Sequence, residues 1–140
     1  MALLKNIRES LIFLFLLNSM LILFSCGDKE PIDYRDKYLG QWDFEVEVYS
    51  FTAGNPPETT SETRYHTGMI NYGTVENEIL LEYLHNTSIT LMIMKNGQLA
   101  NFPTHYCHGS FQGSDSLHLY LRWGGLNTFF SHTINGTKKD

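Results

Sequence analysis

Short stretches in which apolar and polar residues alternate fill most of the chain after residue 38, and they constrain the fold more than any other feature. In the clearest stretch, residues 41–51, apolar side chains occupy every second position: Trp42, Phe44, Val46 and Val48. Acidic residues occupy the positions between these four: Asp43, Glu45 and Glu47. A period of two residues with one polar face indicates an antiparallel strand that is buried on one side.

Further stretches of strand character follow at short intervals: residues 60–72, 77–84, 87–95, 98–102, 104–111, 117–123 and 127–134. The turn signals between them include Asn96-Gly97, which favours a type I′ hairpin turn with positive φ at both positions. No helical pattern is long enough for a crossover between parallel strands. About eight strands in ~100 residues predict an all-β fold, an antiparallel up-and-down meander that forms either a small barrel or a two-layer sandwich.

The first 25 residues have the order of a secretory signal peptide. Lys5 and Arg8 precede an apolar run over residues 11–23, in the order of a positive region followed by an apolar region. The run is shorter than the roughly 20 apolar residues that span a membrane. Residues 23–26, with the sequence Leu-Phe-Ser-Cys, resemble the lipobox of bacterial lipoproteins. The resemblance implies that the leader is removed and that Cys26 carries acyl chains such as palmitate.

This resemblance also implies a compartment and a domain organisation. Two or more acyl chains anchor a protein stably to a membrane, so we expect the mature chain in the bacterial cell envelope. Gly27 is not the acidic residue of an inner-membrane retention signal, which favours the outer membrane, with either face open. We expect a signal peptide over residues 1–25, the lipidated Cys26 and a flexible polar tether over residues 26–37, and one β domain over residues 38–140.

Charge and composition restrict the partners. The chain has a formal charge of −5 and its aromatic content is 14%. The leader carries Lys5, Arg8 and Glu9, a net +1, which leaves −6 for the remainder. Nucleic-acid binding needs a basic face, so we expect no nucleic-acid partner and a membrane contact through the lipid anchor alone.

The first predicted strand carries a second resemblance. Gly40-Gln41-Trp42 is similar to the Gly-x-Trp that opens lipocalins and related calycin barrels. In that family the Trp closes one end of the barrel beneath a basic side chain from near the C-terminus, which implies Lys138 or Arg122 here. More broadly, residues 38–42, 109–117 and 134–139 resemble a group of small bacterial lipoproteins with a lipocalin-like domain. The resemblance implies a fold and an anchor, and no established activity.

Aromatic and methionine residues are the candidates for the core or for an apolar ligand pocket: Trp42, Phe44, Tyr65, Met69, Met92, Met94 and Trp123. An eight-stranded barrel is just wide enough to be filled by side chains or to hold one small ligand. The same residues therefore fit both interpretations.

Residues 105–108, with the sequence His-Tyr-Cys-His, form the cluster with most metal-ligand character. On a strand, His105 and Cys107 share a face and His108 points away. A closed zinc site needs four ligands, so we expect no metal and no other cofactor, with Cys107 a small core residue. The acidic side chains of the first strand are typical of a solvated face, and no common catalytic motif is present. No catalytic residue is predicted.

Three functional hypotheses follow. The first is a non-catalytic, lipid-anchored binding or accessory barrel for a small apolar ligand or an envelope protein partner. The second is a structural or surface-interaction lipoprotein with a filled core. The third is a metal-dependent enzyme that uses His105, Cys107 and His108.

Overall fold

The computed structural model describes residues 32–100 and 106–139, and the compact unit begins at Asp33. The predicted leader, the predicted lipidation site Cys26 and the candidate metal ligand His105 lie outside the described residues. Across the part that is described, no helix has the length and the apolar character needed to cross a membrane.

The described chain forms a closed antiparallel barrel. A single 3₁₀ turn at Asp36–Tyr38 leads into eight strands: β1 (Gly40–Thr52), β2 (Glu58–Tyr72), β3 (Glu78–Leu84), β4 (Thr87–Ile93), β5 (Gln98–Ala100), β6 (Tyr106–Gln112), β7 (Ser116–Gly124) and β8 (Thr128–Lys138). Each strand pairs with the next in sequence, and β8 pairs with β1. The predicted all-β meander is therefore confirmed, and the barrel is the architecture it adopts.

Toward the end of the barrel where β1 begins, alternate residues of the strands point into the barrel and are buried there. On β1, Trp42 and Val46 are 0% exposed and Phe44 is 2% exposed. Large aliphatic side chains from the other strands are also fully buried: Ile70, Ile79, Leu81, Leu91, Ile93, Leu119, Leu121 and Ile134. The described interior is thus packed with apolar side chains, whose removal from water is the main stabilising term.

Strand β8 extends four residues beyond the predicted end at residue 134. Gly136 lies within it, directly opposite Phe44 in the β1–β8 ladder. A Cβ atom at Gly136 would be 2.9 Å from the Phe44 ring. Gly136 therefore gives the ring room inside the barrel, and the glycine that looked like a strand end is a packing residue.

The hairpin at Asn96-Gly97 is confirmed, but its turn type is not the predicted one. Met94 N–H donates to the Gln98 carbonyl at 2.9 Å, and Gly97 N–H donates to the Met94 carbonyl at 2.8 Å. Gly97 has a φ of +85°, whereas Asn96 is not among the residues with positive φ. This is a type I turn followed by a glycine bulge, in which only the glycine needs the left-handed region. Asn96 contributes its side chain, which accepts a hydrogen bond from Gln98 N–H at 3.1 Å.

The segment just before the barrel is docked on it, which differs from the prediction of a flexible tether up to residue 37. Arg35 is 7% exposed. Its guanidinium donates to the carbonyls of Val75 and Glu78 at 3.0 and 2.9 Å and to the carboxylate of Asp33. Tyr34 adds a hydrogen bond to the Ile93 carbonyl at 2.9 Å. A polar segment packs here because its charged groups find partners in the barrel.

Candidate functional site

Aromatic side chains close the end of the barrel where β1 begins. The indole N–H of Trp42 donates to the Tyr38 carbonyl at 2.9 Å, and the Tyr38 ring stacks on Phe111 with 4.0 Å between centroids. Lys138 lies directly opposite Trp42 in the β1–β8 ladder and donates its amino group to the Lys37 carbonyl at 2.9 Å. Of the two basic residues that the lipocalin resemblance implied, Lys138 is the one at this end.

The residues predicted to form the core or an interior pocket divide into two groups. Trp42 and Phe44 are fully buried, and Trp123 packs against the core while half-buried. The other four side chains are on the outside, exposed by 76%, 37%, 39% and 52%: Tyr65, Met69, Met92 and Met94. The interior placement of these four is therefore corrected.

Strand register explains this correction. On β2 the buried positions near the closed end are Gly68 and Ile70, so side chains at odd positions must point outward. On β4 the interior positions are occupied by Leu91 and Ile93, which leaves the methionine between them on the solvent side. Composition predicts that methionine is buried, but the alternation along the strand decides otherwise.

A buried polar pair lies toward the opposite end of the barrel. The Tyr83 hydroxyl and His132 Nδ1 are 2.9 Å apart, and the Trp123 ring meets the imidazole edge-on at 4.7 Å. Burial raises the pKa of Tyr83 to about 12. The pKa of His132 is lowered, mainly by burial and to a smaller extent by the nearby positive charge of Arg64. Both groups are therefore neutral at pH 7. With 3% and 8% of their surface exposed, they serve packing better than contact with a substrate.

The candidate metal ligands of residues 105–108 are not brought together among the described residues. Cys107 is half-buried on the inner side of β6, opposite Leu121. His108 is exposed on the outer side and packs against Tyr106 and Tyr120. Within residues 32–100 and 106–139, no three His, Cys, Asp or Glu side chains come together as metal ligands would.

Aromatic side chains form a continuous band on the outer face of β6, β7, β8 and β1. We call this band the aromatic stripe; its residues are Tyr106, His108, Tyr120, Arg122, Phe129, Phe51 and Tyr49. Neighbouring rings lie 5.2 to 6.2 Å apart, and the Arg122 guanidinium is 4.0 Å from the Phe129 ring centroid. Arg122, the other basic residue that the resemblance implied for the closed end, belongs to this band.

A groove of about 470 Å³ opens at one part of the aromatic stripe. It is lined by Tyr106, Tyr120, Arg122, Trp123 and the β7–β8 turn. Leu126 in that turn is 92% exposed, and Tyr106 on the opposite side of the groove is 66% exposed. Contiguous apolar side chains that are exposed to solvent mark a binding surface more often than isolated ones do.

The side chains of the aromatic stripe are of the types that bind other proteins. Tyrosine and arginine dominate binding energy in protein interfaces, since they combine apolar area with hydrogen-bonding groups. Sequence reasoning missed this surface because it looked for apolar side chains at interior positions. The available signal was that Tyr120 and Arg122 occupy the outward positions of β7, and that Tyr49 and Phe51 do so on β1.

The barrel is consistent with a lipocalin-like fold. Comparisons of the chain with models of known protein families, with curated proteins and with solved structures found no match.

Proposed function

We propose that this chain is a lipid-anchored lipoprotein of the bacterial cell envelope whose barrel binds a protein partner and catalyses no reaction. The aromatic stripe is the observation that carries this proposal. Its outward tyrosines and Arg122 form the kind of surface from which interface hot spots are built. The resemblance to small lipoproteins with a lipocalin-like domain is part of the same proposal.

A protein partner fits this barrel better than a small apolar ligand does. Side chains that are almost fully buried occupy the described interior, from Trp42 at the closed end to Leu121 on β7. Apolar ligand sites usually enclose most of their ligand, whereas the groove beside Tyr120 lies open on the outer face. The hypothesis of a surface-interaction lipoprotein with a filled core therefore merges with the protein-binding hypothesis.

The anchor has its own test. Metabolic labelling with a fatty acid should mark the wild-type chain and leave the Cys26→Ser variant unlabelled. Equal labelling of the two would refute lipidation at Cys26. Protease treatment of intact cells then distinguishes a surface-exposed protein from one that faces the periplasm.

The partner proposal is tested with the lipoprotein isolated from its own membrane. Proteins that remain bound after chemical crosslinking are quantified by mass spectrometry for wild type, Tyr120→Ser, Arg122→Ser and the control Met92→Ser. Truncation of an interface hot spot costs about 2 kcal/mol or more, so recovery of the partner should fall roughly 30-fold in the stripe variants. Met92 is exposed on β4, outside the stripe, and its variant should match wild type.

Two results would contradict the proposal. One is equal recovery of every bound protein from all four samples. The other is an apolar small molecule that is retained by the wild type and lost in the stripe variants, which would favour the ligand-binding hypothesis instead.

A further inference from the structure

Strand β2 leaves one of its edges open. β1 pairs with β2 along its length, from Gly40↔Ile70 to Thr52↔Glu58. β3 pairs with β2 only over Met69–Tyr72. Among the described residues, positions 58–68 of β2 therefore have a paired strand on one side only. Such an edge is a template for pairing with another strand.

The backbone groups at this edge can be assigned from the hydrogen bonds. Gly73 N–H donates to the Glu78 carbonyl at 2.9 Å, so the odd-numbered residues of β2 face the β3 side. The other side of the sheet agrees, because Lys139 N–H donates to the Gln41 carbonyl and even-numbered β1 residues must then face β2. The β1–β2 register is constant, which carries this alternation to the far end of β2. The open edge therefore presents N–H and carbonyl groups of five residues: Thr59, Ser61, Thr63, Tyr65 and Thr67.

Two open grooves lie beside part of this edge. An open groove of about 360 Å³ lies between residues 64–66 and the β3–β4 turn. A second groove of about 480 Å³ continues it from His66 toward Glu82 and Ser88. The edge carries no proline between residues 58 and 68 and is rich in threonine, a residue with high strand propensity.

We propose that the open edge of β2 pairs antiparallel with the same edge of a second copy of this chain, on a two-fold axis at Thr63. In this register Thr63 faces Thr63 of the other copy, Ser61 faces Tyr65, and Thr59 faces Thr67. All edge-facing residues then meet edge-facing residues, which gives about ten backbone hydrogen bonds. The two barrels become joined through one continuous sheet.

Charge complementarity favours a second copy of this chain as the partner of the open edge. The register places Glu62 of each copy directly opposite Arg64 of the other. These residues form non-hydrogen-bonded pairs, the type of antiparallel pair in which the two side chains lie closer together. Within one chain these two side chains already form a salt bridge of 2.8 Å, with 60% and 51% of their surfaces exposed. Pairing brings the two salt bridges together into a ring of alternating charges. A two-fold contact of this kind is self-complementary, as isologous interfaces must be.

The first test measures dimerisation of the full lipoprotein in detergent by sedimentation equilibrium. Wild type should form a reversible dimer. Thr63→Pro removes an N–H that faces the open edge and leaves the β1 ladder intact, so it should weaken the dimer about tenfold or more with an unchanged far-UV circular dichroism spectrum. Thr63→Val keeps the N–H and is the matched control that should dimerise like wild type.

The second test reads the register. Arg64→Glu should weaken the dimer, and the double variant Glu62→Arg/Arg64→Glu should restore it. Under mild oxidation Thr63→Cys should crosslink to itself, whereas Ser61→Cys should not, because two copies of residue 61 would be about 14 Å apart in this register. A chain that stays monomeric, a dimer that survives Thr63→Pro, or equal crosslinking of the two cysteine variants would each overturn the proposal.

Discussion

Replacement of Trp42 by alanine tests how the closed end of the barrel holds the fold together. The Trp42 side chain is 0% exposed and lies 5.6 and 6.4 Å from the rings of Phe111 and Phe44. Its indole N–H is the donor to the carbonyl of Tyr38. Removing it therefore leaves a cavity between aromatic rings and takes a hydrogen bond from a buried carbonyl.

The expected cost is large relative to the stability of a small domain. Truncation of a buried tryptophan typically costs about 3–5 kcal/mol. The lost donor to Tyr38 moves the expected value toward the upper end, since an unsatisfied buried group costs about 1–3 kcal/mol. Domains of this size are stable by about 5–15 kcal/mol, so Trp42→Ala should unfold much of the population or lower the urea midpoint steeply.

Urea unfolding followed by far-UV circular dichroism measures this effect without depending on tryptophan fluorescence. Trp42→Phe keeps most of the apolar volume and should cost clearly less than Trp42→Ala. Tyr65→Ala removes a ring that is 76% exposed and should change the free energy of unfolding by less than about 0.5 kcal/mol. If Trp42→Ala costs no more than Tyr65→Ala, packing at the closed end does not stabilise the barrel.

Three further predictions concern particular contacts. Burial and a nearby positive charge lower the pKa of His132 in the fold, so the unfolded state binds a proton first as pH falls below about 6.5, and stability should drop below that pH. The urea midpoints at pH 7.5 and pH 5 should therefore differ less in His132→Asn than in wild type or in the control His118→Asn. Gly97→Ala places a side chain at positive φ and should cost about 1–3 kcal/mol of unfolding free energy, whereas Asn96→Ala loses one exposed hydrogen bond and should cost under about 1 kcal/mol in the same assay. A larger loss for Asn96→Ala than for Gly97→Ala would mean that the turn is type I′. Arg35→Met should cost about 1–3 kcal/mol by thermal or urea unfolding, since two backbone carbonyls lose a charged donor, and no loss would show that the preceding segment is not docked in solution.

The alternation of residues determined the strands and their order with few errors. A side chain that follows every second position has only two faces to choose from, so β1 and β7 could be placed from the pattern of Trp42 to Val48 and of Leu117 to Trp123. Short turns between strands leave the up-and-down meander as the simple arrangement. The hairpin at Gly97 was predictable for the same local reason, because glycine is the residue that tolerates positive φ.

Tertiary contacts decided the roles of residues that the alternation leaves open. On β4 the alternation itself places Ile89, Leu91 and Ile93 on one face and Met92 on the other, so the outward position of the methionine could be predicted from the sequence. Gly136 marked a turn in the sequence, yet it lies inside β8 because the Phe44 ring needs its space. Arg35 could not be predicted to dock, since its carbonyl partners lie about forty residues further along the chain.

The aromatic stripe and the open edge of β2 also depend partly on local sequence and partly on tertiary structure. Local sequence determined which residues alternate, and so which side chains can reach solvent from β6, β7, β8 and β1. Closure of the barrel between β1 and β8 alone brought Phe51 beside Phe129 and so joined separate aromatic residues into the aromatic stripe. The open edge of β2 arises from the short β2–β3 ladder, because β3 pairs with β2 over Met69–Tyr72 alone. Which strand lies at an edge is a property of pairing between distant segments, and no local pattern encodes it.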